Sequence, residues 1–171
     1  FTNTIKNNGI VKCINAAGCG NFSRTDIEEL TAFAAIYGSK GLAWMKVTDK
    51  GLESSVVKFF DDKIQKEIIA KTSAKNGDLL LFVADASHKV VNEALGYLRL
   101  ELARRLNMID KSKFNFLWVT DFPLLEFNEE EQRYYAMHHP FTSPKDEHIR
   151  LLDKEAWKAK AKAYDIVLNG T

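Results

Sequence analysis

The chain has little proline, less cysteine and almost no net charge, and each shortage excludes something. Three of its 171 residues are proline and two are cysteine. Cys13 lies in the apolar run Ile10-Val11-Lys12-Cys13-Ile14, where a free thiol packs as a small hydrophobe. Neither Cys13 nor Cys19 has a second cysteine or a histidine at zinc-ligand spacing, so no disulfide framework or zinc site is expected. The charged residues number 24 basic against 23 acidic, a formal charge of +1. Autonomous nucleic-acid binders carry a clustered basic excess because neutralising phosphate drives their affinity, and the totals here give no such excess. The nearest cluster, Arg99, Arg104, Arg105, Lys111 and Lys113, reads as cations favoured near a helix C-terminus. No run of about 18 apolar residues is present, so no membrane-spanning helix is expected. Phe1 to Ile5 lacks the basic start and apolar middle of a signal peptide. A soluble, cytoplasmic protein follows as the expectation. Walker, HExxH, GxSxG and CxxC motifs are missing, and Gly18-Cys19-Gly20 falls short of a dinucleotide fingerprint because position 23 is serine.

What is present is an ordinary packed-domain composition, 46% hydrophobic and 27% charged. Asn8-Gly9 separates two strand-like stretches, Phe1 to Ile5 and Ile10 to Ala16, and predicts a hairpin. Thr25-Asp26-Ile27-Glu28 reads as a capping box opening a helix. That helix carries Ile27, Leu30, Ala34 and Tyr37 on one stripe and stops at Gly38. Leu42 to Val47 is a strand followed by the turn Asp49-Lys50-Gly51. A helix from Asp61 to Ser73 points Ile64 and Ile68 inward. Leu79 to Val83 is apolar throughout and is therefore buried on both sides or central in its sheet. The longest helix runs from about Ser87 to Asn107, with Val91, Leu95, Leu98, Leu102 and Leu106 on one face. Gly96 within it suggests a closely packed neighbour, since glycine there costs about 1 kcal/mol relative to alanine. The two hairpin turns argue for antiparallel pairing, hence a two-layer α+β fold with helices on one face of a sheet.

Character changes after Asp110-Lys111-Ser112-Lys113. Phe116 to Phe122 and Leu124 to Phe127 read as strands. The acidic turn Asn128-Glu129-Glu130-Glu131 leads into Arg133 to Pro140, and Tyr164 to Leu168 forms a last strand. So few strands make an incomplete core, because small domains bury only a modest fraction of their surface. Two candidate sites stand out. Adjacent histidines in a strand face opposite ways, and Pro140 holds His139 extended, so His138 and His139 are not expected to chelate one metal. One of them donates a hydrogen bond to an anionic ligand, or is simply satisfied by backbone. Asp165 lies on a mixed strand face and needs a cation, a partner or solvent. Asp121 shares this ambiguity between a partner, a cation and exposure at an edge, with turn capping as a further reading. His88 and Lys89 read as surface residues, and Asp61-Asp62 as stabilisers of a helix N-terminus.

Phe116-Leu117-Trp118-Val119-Thr120-Asp121-Phe122-Pro123 and Met137-His138-His139-Pro140-Phe141-Thr142-Ser143-Pro144-Lys145, with the acidic turn between them, resemble the bacterial-type aspartyl-tRNA synthetases. Ala163 to Gly170 is similar to the strand that follows in that family. Ile36-Tyr37-Gly38-Ser39-Lys40-Gly41-Leu42-Ala43 resembles its inserted GAD domain, which also occurs in amidotransferase subunits acting on misacylated tRNA. The resemblance covers essentially the whole chain. It implies a GAD insert over 1–110 and part of a class II antiparallel catalytic sheet over 111–171. The parent would be an ATP- and Mg2+-dependent, dimeric ligase that forms aspartyl-adenylate from L-aspartate and charges tRNA-Asp. His138 and His139 would lie in the aspartate and adenylate pocket, and Asp165 near Mg-ATP. The resemblance also implies that the arginines of the family's motifs 2 and 3, its second metal-binding glutamate and its anticodon-binding barrel lie outside Phe1 to Thr171. The isolated chain is therefore expected to bind no cofactor and to activate no aspartate. A free-standing GAD-type module docking on protein or tRNA is the alternative, and a histidine metallohydrolase a third reading.

Overall fold

Every side chain from Leu79 to Val83 is apolar, so a strand built from them has to be covered on both faces. In the computed structural model, which describes residues 1–128 and 130–170, β4 (Leu79–Asp85) is indeed interior to a sheet of order β1-β4-β2-β3. Its neighbours are β1 (Ile10–Ala16) and β2 (Ala43–Thr48), and β2 pairs with the short β3 (Gly51–Glu53); every pairing is antiparallel. The α+β class and the antiparallel pairing are as expected. Leu79, Leu81 and Val83 join a cluster with Ile27 and Leu30 of α2 (Arg24–Ile36) and Val91, Leu95, Leu98 and Leu102 of α4 (His88–Arg105). Leu80 and Phe82 join Met45, Val47 and Leu52 on the other side, where Ile68 and Ile69 of α3 (Asp62–Thr72) pack. The helices are therefore not confined to one face. The strict two-residue period of β4 divides the apolar side chains into two cores, and α3 is needed over the second.

Local chemistry also moves several boundaries. Phe1 to Ile5 does not form a strand: Thr2–Lys6 is one short helix, α1. Asn8 does take positive φ (58°), but it closes that helix, with the Gly9 N–H donating to the Thr4 carbonyl at 2.8 Å. A left-handed residue serves a helix C-terminus as readily as a hairpin, and the Phe1 ring, 5.8 Å from that of Phe82, favours the compact option. Two overlapping hydroxyl-x-x-carboxylate boxes, from Ser23 and from Thr25, mark the start of α2, and the structure uses the earlier one. Ser23 Oγ accepts from the Asp26 N–H at 3.1 Å while Asp26 Oδ2 accepts from the Ser23 N–H at 2.7 Å. Asp61 caps α3 by accepting from the Ile64 N–H at 2.8 Å, but Ile64 itself is exposed; Ile68 and Ile69 carry the packing. Leu106, past the end of α4, is exposed as well. Between strands, Asp78 locks a turn by accepting from the backbone N–H groups of Gly18 (2.9 Å) and Lys75 (2.8 Å) and from Asn15 Nδ2 (3.1 Å). Gly20 donates to the Gly77 carbonyl there, and a Cβ on Gly20 would lie 2.7 Å from that oxygen.

The chain forms two compact units, Phe1–Ile109 and Asp110–Thr171. In the second, β5 (Phe116–Thr120) pairs antiparallel with β8 (Tyr164–Leu168), and β6 (Leu125–Asn128) with β7 (Arg133–Ala136). Asn128 Oδ1 accepts from the Glu130 and Glu131 N–H groups in the acidic turn; Glu129 of that turn and Thr171 lie outside the described residues. The core of this unit is small, built on Leu124, Ala159 and Ala161. One face of the β5–β8 ladder leaves Phe116, Trp118, Tyr164 and Ile166 each more than half exposed.

Two substitutions test the packing. Leu81→Ala, in the fully buried centre of β4, should cost about 2–5 kcal/mol in denaturant unfolding; a loss below about 1 kcal/mol contradicts the division into two cores. Gly96 lies in α4, and a Cβ added to it would meet no atom within 4 Å, so no close neighbour explains it. Gly96→Ala should therefore stabilise by about 0.5–1 kcal/mol through helix propensity, and a destabilised variant would show an unrecognised contact.

Candidate functional site

Three segments remote in sequence are stitched together in the second unit. Phe122 to Leu124 runs beside 159–161: the Leu124 N–H donates to the Ala159 carbonyl (2.9 Å) and the Ala161 N–H to the Phe122 carbonyl (2.8 Å). The segment 143–145 runs beside 160–162: the Lys145 N–H donates to Lys160 O (2.8 Å) and the Lys162 N–H to Ser143 O (2.8 Å). Met137 closes the third side, its N–H donating to the Leu124 carbonyl at 3.1 Å. The small side chains of Ala159 and Ala161 permit this approach, since both are almost fully buried. Pro123 and Pro144 sit at isolated bridges in this knot, where proline's lack of an N–H is tolerated.

The knot carries the histidine segment. His138 and His139 do not lie in a strand: β7 ends at Ala136, and both imidazoles are exposed on the following bend. The expectation of opposite strand faces does not apply, because the β6–β7 pairing stops short of both histidines. The His138 ring stands edge-on to Phe122, centroids 4.8 Å apart. His139 Nδ1 accepts from the Phe141 N–H at 3.2 Å, which assigns the neutral ring's proton to Nε2. His139 thus presents an N–H donor to solvent, suited to a carboxylate or phosphate oxygen.

A carboxylate and two lysines brace the same knot. Asp121, at positive φ (63°), pairs with Lys145 through Oδ1 and with Lys160 Nζ through Oδ2 at 3.7 Å. The Lys145 hydrogen bond, together with the charges of Lys145 and Lys160, holds the Asp121 carboxyl below its ordinary range, and the same bond raises Lys145. The Lys160 N–H donates to His148 Nδ1 at 3.1 Å. Sequence reasoning misses this brace because its members lie 24 and 39 positions apart.

Asp165 lies on β8. It pairs with Val119 in the β5–β8 ladder, next to the ladder end from which Asp121 leaves β5. It is exposed, and among the described residues no hydrogen bond, ring contact or ion pair joins it to either histidine. Among those residues no group of three or more histidine, cysteine, aspartate or glutamate side chains could hold a metal ion. Asp165 can offer one ligand, so the residues present do not complete a magnesium site. Two surface concavities, one lined by Glu126, Phe127, Asn128 and Tyr135 and the other by Phe1, Ala43, Val56 and Phe60 among others, include neither histidine nor Asp165. Burial pushes the Cys13 thiol up to about 12, which removes it as a nucleophile. His88 is exposed at the first turn of α4. No helix among the described residues is long and apolar enough to cross a membrane.

The sequence matches one family model and a set of known proteins. The GAD domain model covers residues 1–95, and the chain belongs to the GAD domain family. Over its whole length it is similar to aspartate–tRNA ligases. It is 55% identical to the aspartate–tRNA(Asp/Asn) ligase of Heliobacterium modesticaldum over 99% of this chain and 28% of that protein. It is 52% identical to that of Brachyspira hyodysenteriae and 53% identical to the aspartate–tRNA ligase of Staphylococcus haemolyticus, in each case over 99% of this chain and 29% of the relative. The chain thus spans less than a third of the length of these relatives.

The brace makes a sign-defined prediction. Because the folded Asp121 carboxyl is depressed, its contribution is present above the ordinary carboxylate range and is lost as pH falls through the depressed value. Carboxyl-carbon NMR should therefore show Asp121 titrating at lower pH in the parent chain than in Lys145→Gln. Identical midpoints would contradict the pairing.

Proposed function

We propose that this chain is a segment of an aspartate–tRNA ligase, and that residues 111–171 belong to its class II catalytic domain. The observation that carries the reading is the ordered histidine segment held on the knot, within a sequence 52–55% identical to ligases over 99% of its length. In this reading His138 and His139 contact aspartate and the adenylate. An imidazole N–H complements a carboxylate, and the exposed Nε2 donor of His139 is oriented by its backbone contact. Asp165 serves as one carboxylate toward Mg-ATP, with the remaining ligands supplied by other parts of the polypeptide. ATP, Mg2+, tRNA-Asp and a second subunit are partners of the whole enzyme, which works in the cytoplasm.

The histidines can bind and orient, but they cannot by themselves neutralise the negative charge that develops at the α-phosphate. That work calls for preorganised cations, and in this reading they come from arginines elsewhere in the ligase. The uncovered apolar face of β5–β8 supports the same view. Four large side chains left in water are a liability for an independent domain, whereas a ligase more than three times as long has ample chain to cover them.

The test is aspartate-dependent pyrophosphate exchange. The full-length polypeptide carrying this sequence should catalyse it, and the 171-residue chain should not exceed a blank. His138→Ala in the full-length protein should raise the aspartate KM by about tenfold or more. Exchange by the isolated chain, or an unchanged aspartate KM in the variant, overturns the reading.

A further inference from the structure

The structure assigns a role to a group outside the histidine motif: we propose that Asp121 is a positioning residue that sets the histidine segment for aspartate recognition. This rests on the ligase reading above, because it names what fixes that site's geometry.

The segment from Met137 to Lys145 is held at its two ends, where Ser143 O also accepts from the Lys162 N–H beside the far one (2.8 Å). Its near end is fixed by the Met137 N–H on Leu124 O and by the His138 ring on Phe122. Its far end is fixed by the Lys145 backbone on Lys160 O and by the Lys145 ammonium on Asp121. Between these anchors Phe141 is 90% exposed, and the loop's own bonds are the Thr142 N–H on His139 O and the Phe141 N–H on His139 Nδ1. Such a loop keeps its shape only if both ends stay in place. Asp121 is the one carboxylate, among the described residues, that reaches both Lys145, on the histidine segment, and Lys160, on the strand-like stretch beside it. Asp121 is also next in sequence to Phe122, the partner of His138. One residue thus couples the far anchor to the near one.

Charge acts in the same direction. Two ammonium groups share this carboxylate. Without it, two unneutralised cations would repel each other and spread the far anchor. They would also offer a competing site to the substrate's carboxylates. Asp121 therefore places the imidazoles and occupies the lysines that would otherwise attract aspartate away from them. Its left-handed backbone is tolerated by asparagine as well as aspartate, so Asp121→Asn removes the charge while leaving the turn intact.

The experiment uses the full-length polypeptide. Asp121→Asn and Lys145→Met should each raise the aspartate KM by about tenfold, while the ATP KM stays within about twofold. Equal rises in both KM values, or no rise in either, overturn the proposal, since a merely structural role would not single out aspartate. Imidazole nitrogen NMR of His138 and His139 in the same variants is independent of activity. Both resonances should move in Asp121→Asn, and unmoved resonances overturn the proposal even if turnover falls. A wild-type polypeptide without pyrophosphate exchange would sink the ligase reading alone; the imidazole shifts would still decide whether Asp121 positions the histidines.

Discussion

Backbone hydrogen bonds among 122–124, 143–145 and 159–162 are the constraint on which the candidate site depends. Side chains in a loop can be placed reproducibly only if the loop's ends are held by something stiffer than themselves. Here the holding is done by main-chain groups, which each residue must satisfy anyway once buried. Ala159 and Ala161 let the strands approach, and Leu124 fills the remaining space. The histidine segment then leaves and re-enters the knot at two defined points, and the Asp121 brace ties those points together. Exposed ion pairs contribute little to stability on their own. The importance of this one lies in which segments it joins.

The first unit rests on a different constraint. A strand apolar on both faces forces a layered arrangement, and the alternation of Leu79, Leu81 and Val83 with Leu80 and Phe82 allots each side its own cluster. The two units are thus stabilised in different ways: one by two hydrophobic clusters, the other by a small core, a backbone knot and an uncovered apolar ladder. The second is the unit that gains most from further polypeptide.

Much of this was legible in the sequence. The apolar run of β4, the stripes of α2 and α4 and the acidic hairpin between β6 and β7 are signals of period and turn chemistry, and each is local. The misreadings are local ambiguities that tertiary contacts resolve. Asn8 closes a helix because Phe1 packs onto Phe82, Ser23 wins over Thr25 as the cap, and Gly96 marks no close neighbour. The motif blocks pointed to His138, His139 and Asp165 through resemblance, whereas the structure shows how the imidazoles are carried. The Asp121 brace could not be read beforehand. Nothing in a linear pattern links an aspartate after one strand to lysines on two later segments.

The most direct measurement is a crystal structure of the full-length polypeptide with a non-hydrolysable analogue of aspartyl-adenylate. A histidine segment that recognises substrate should place an imidazole Nε2 of His138 or His139 at about 3 Å from the analogue's aspartyl or phosphate-like oxygens, with residues 122–124, 143–145 and 159–162 joined as here. An analogue bound elsewhere, with both imidazoles turned to solvent, would contradict it.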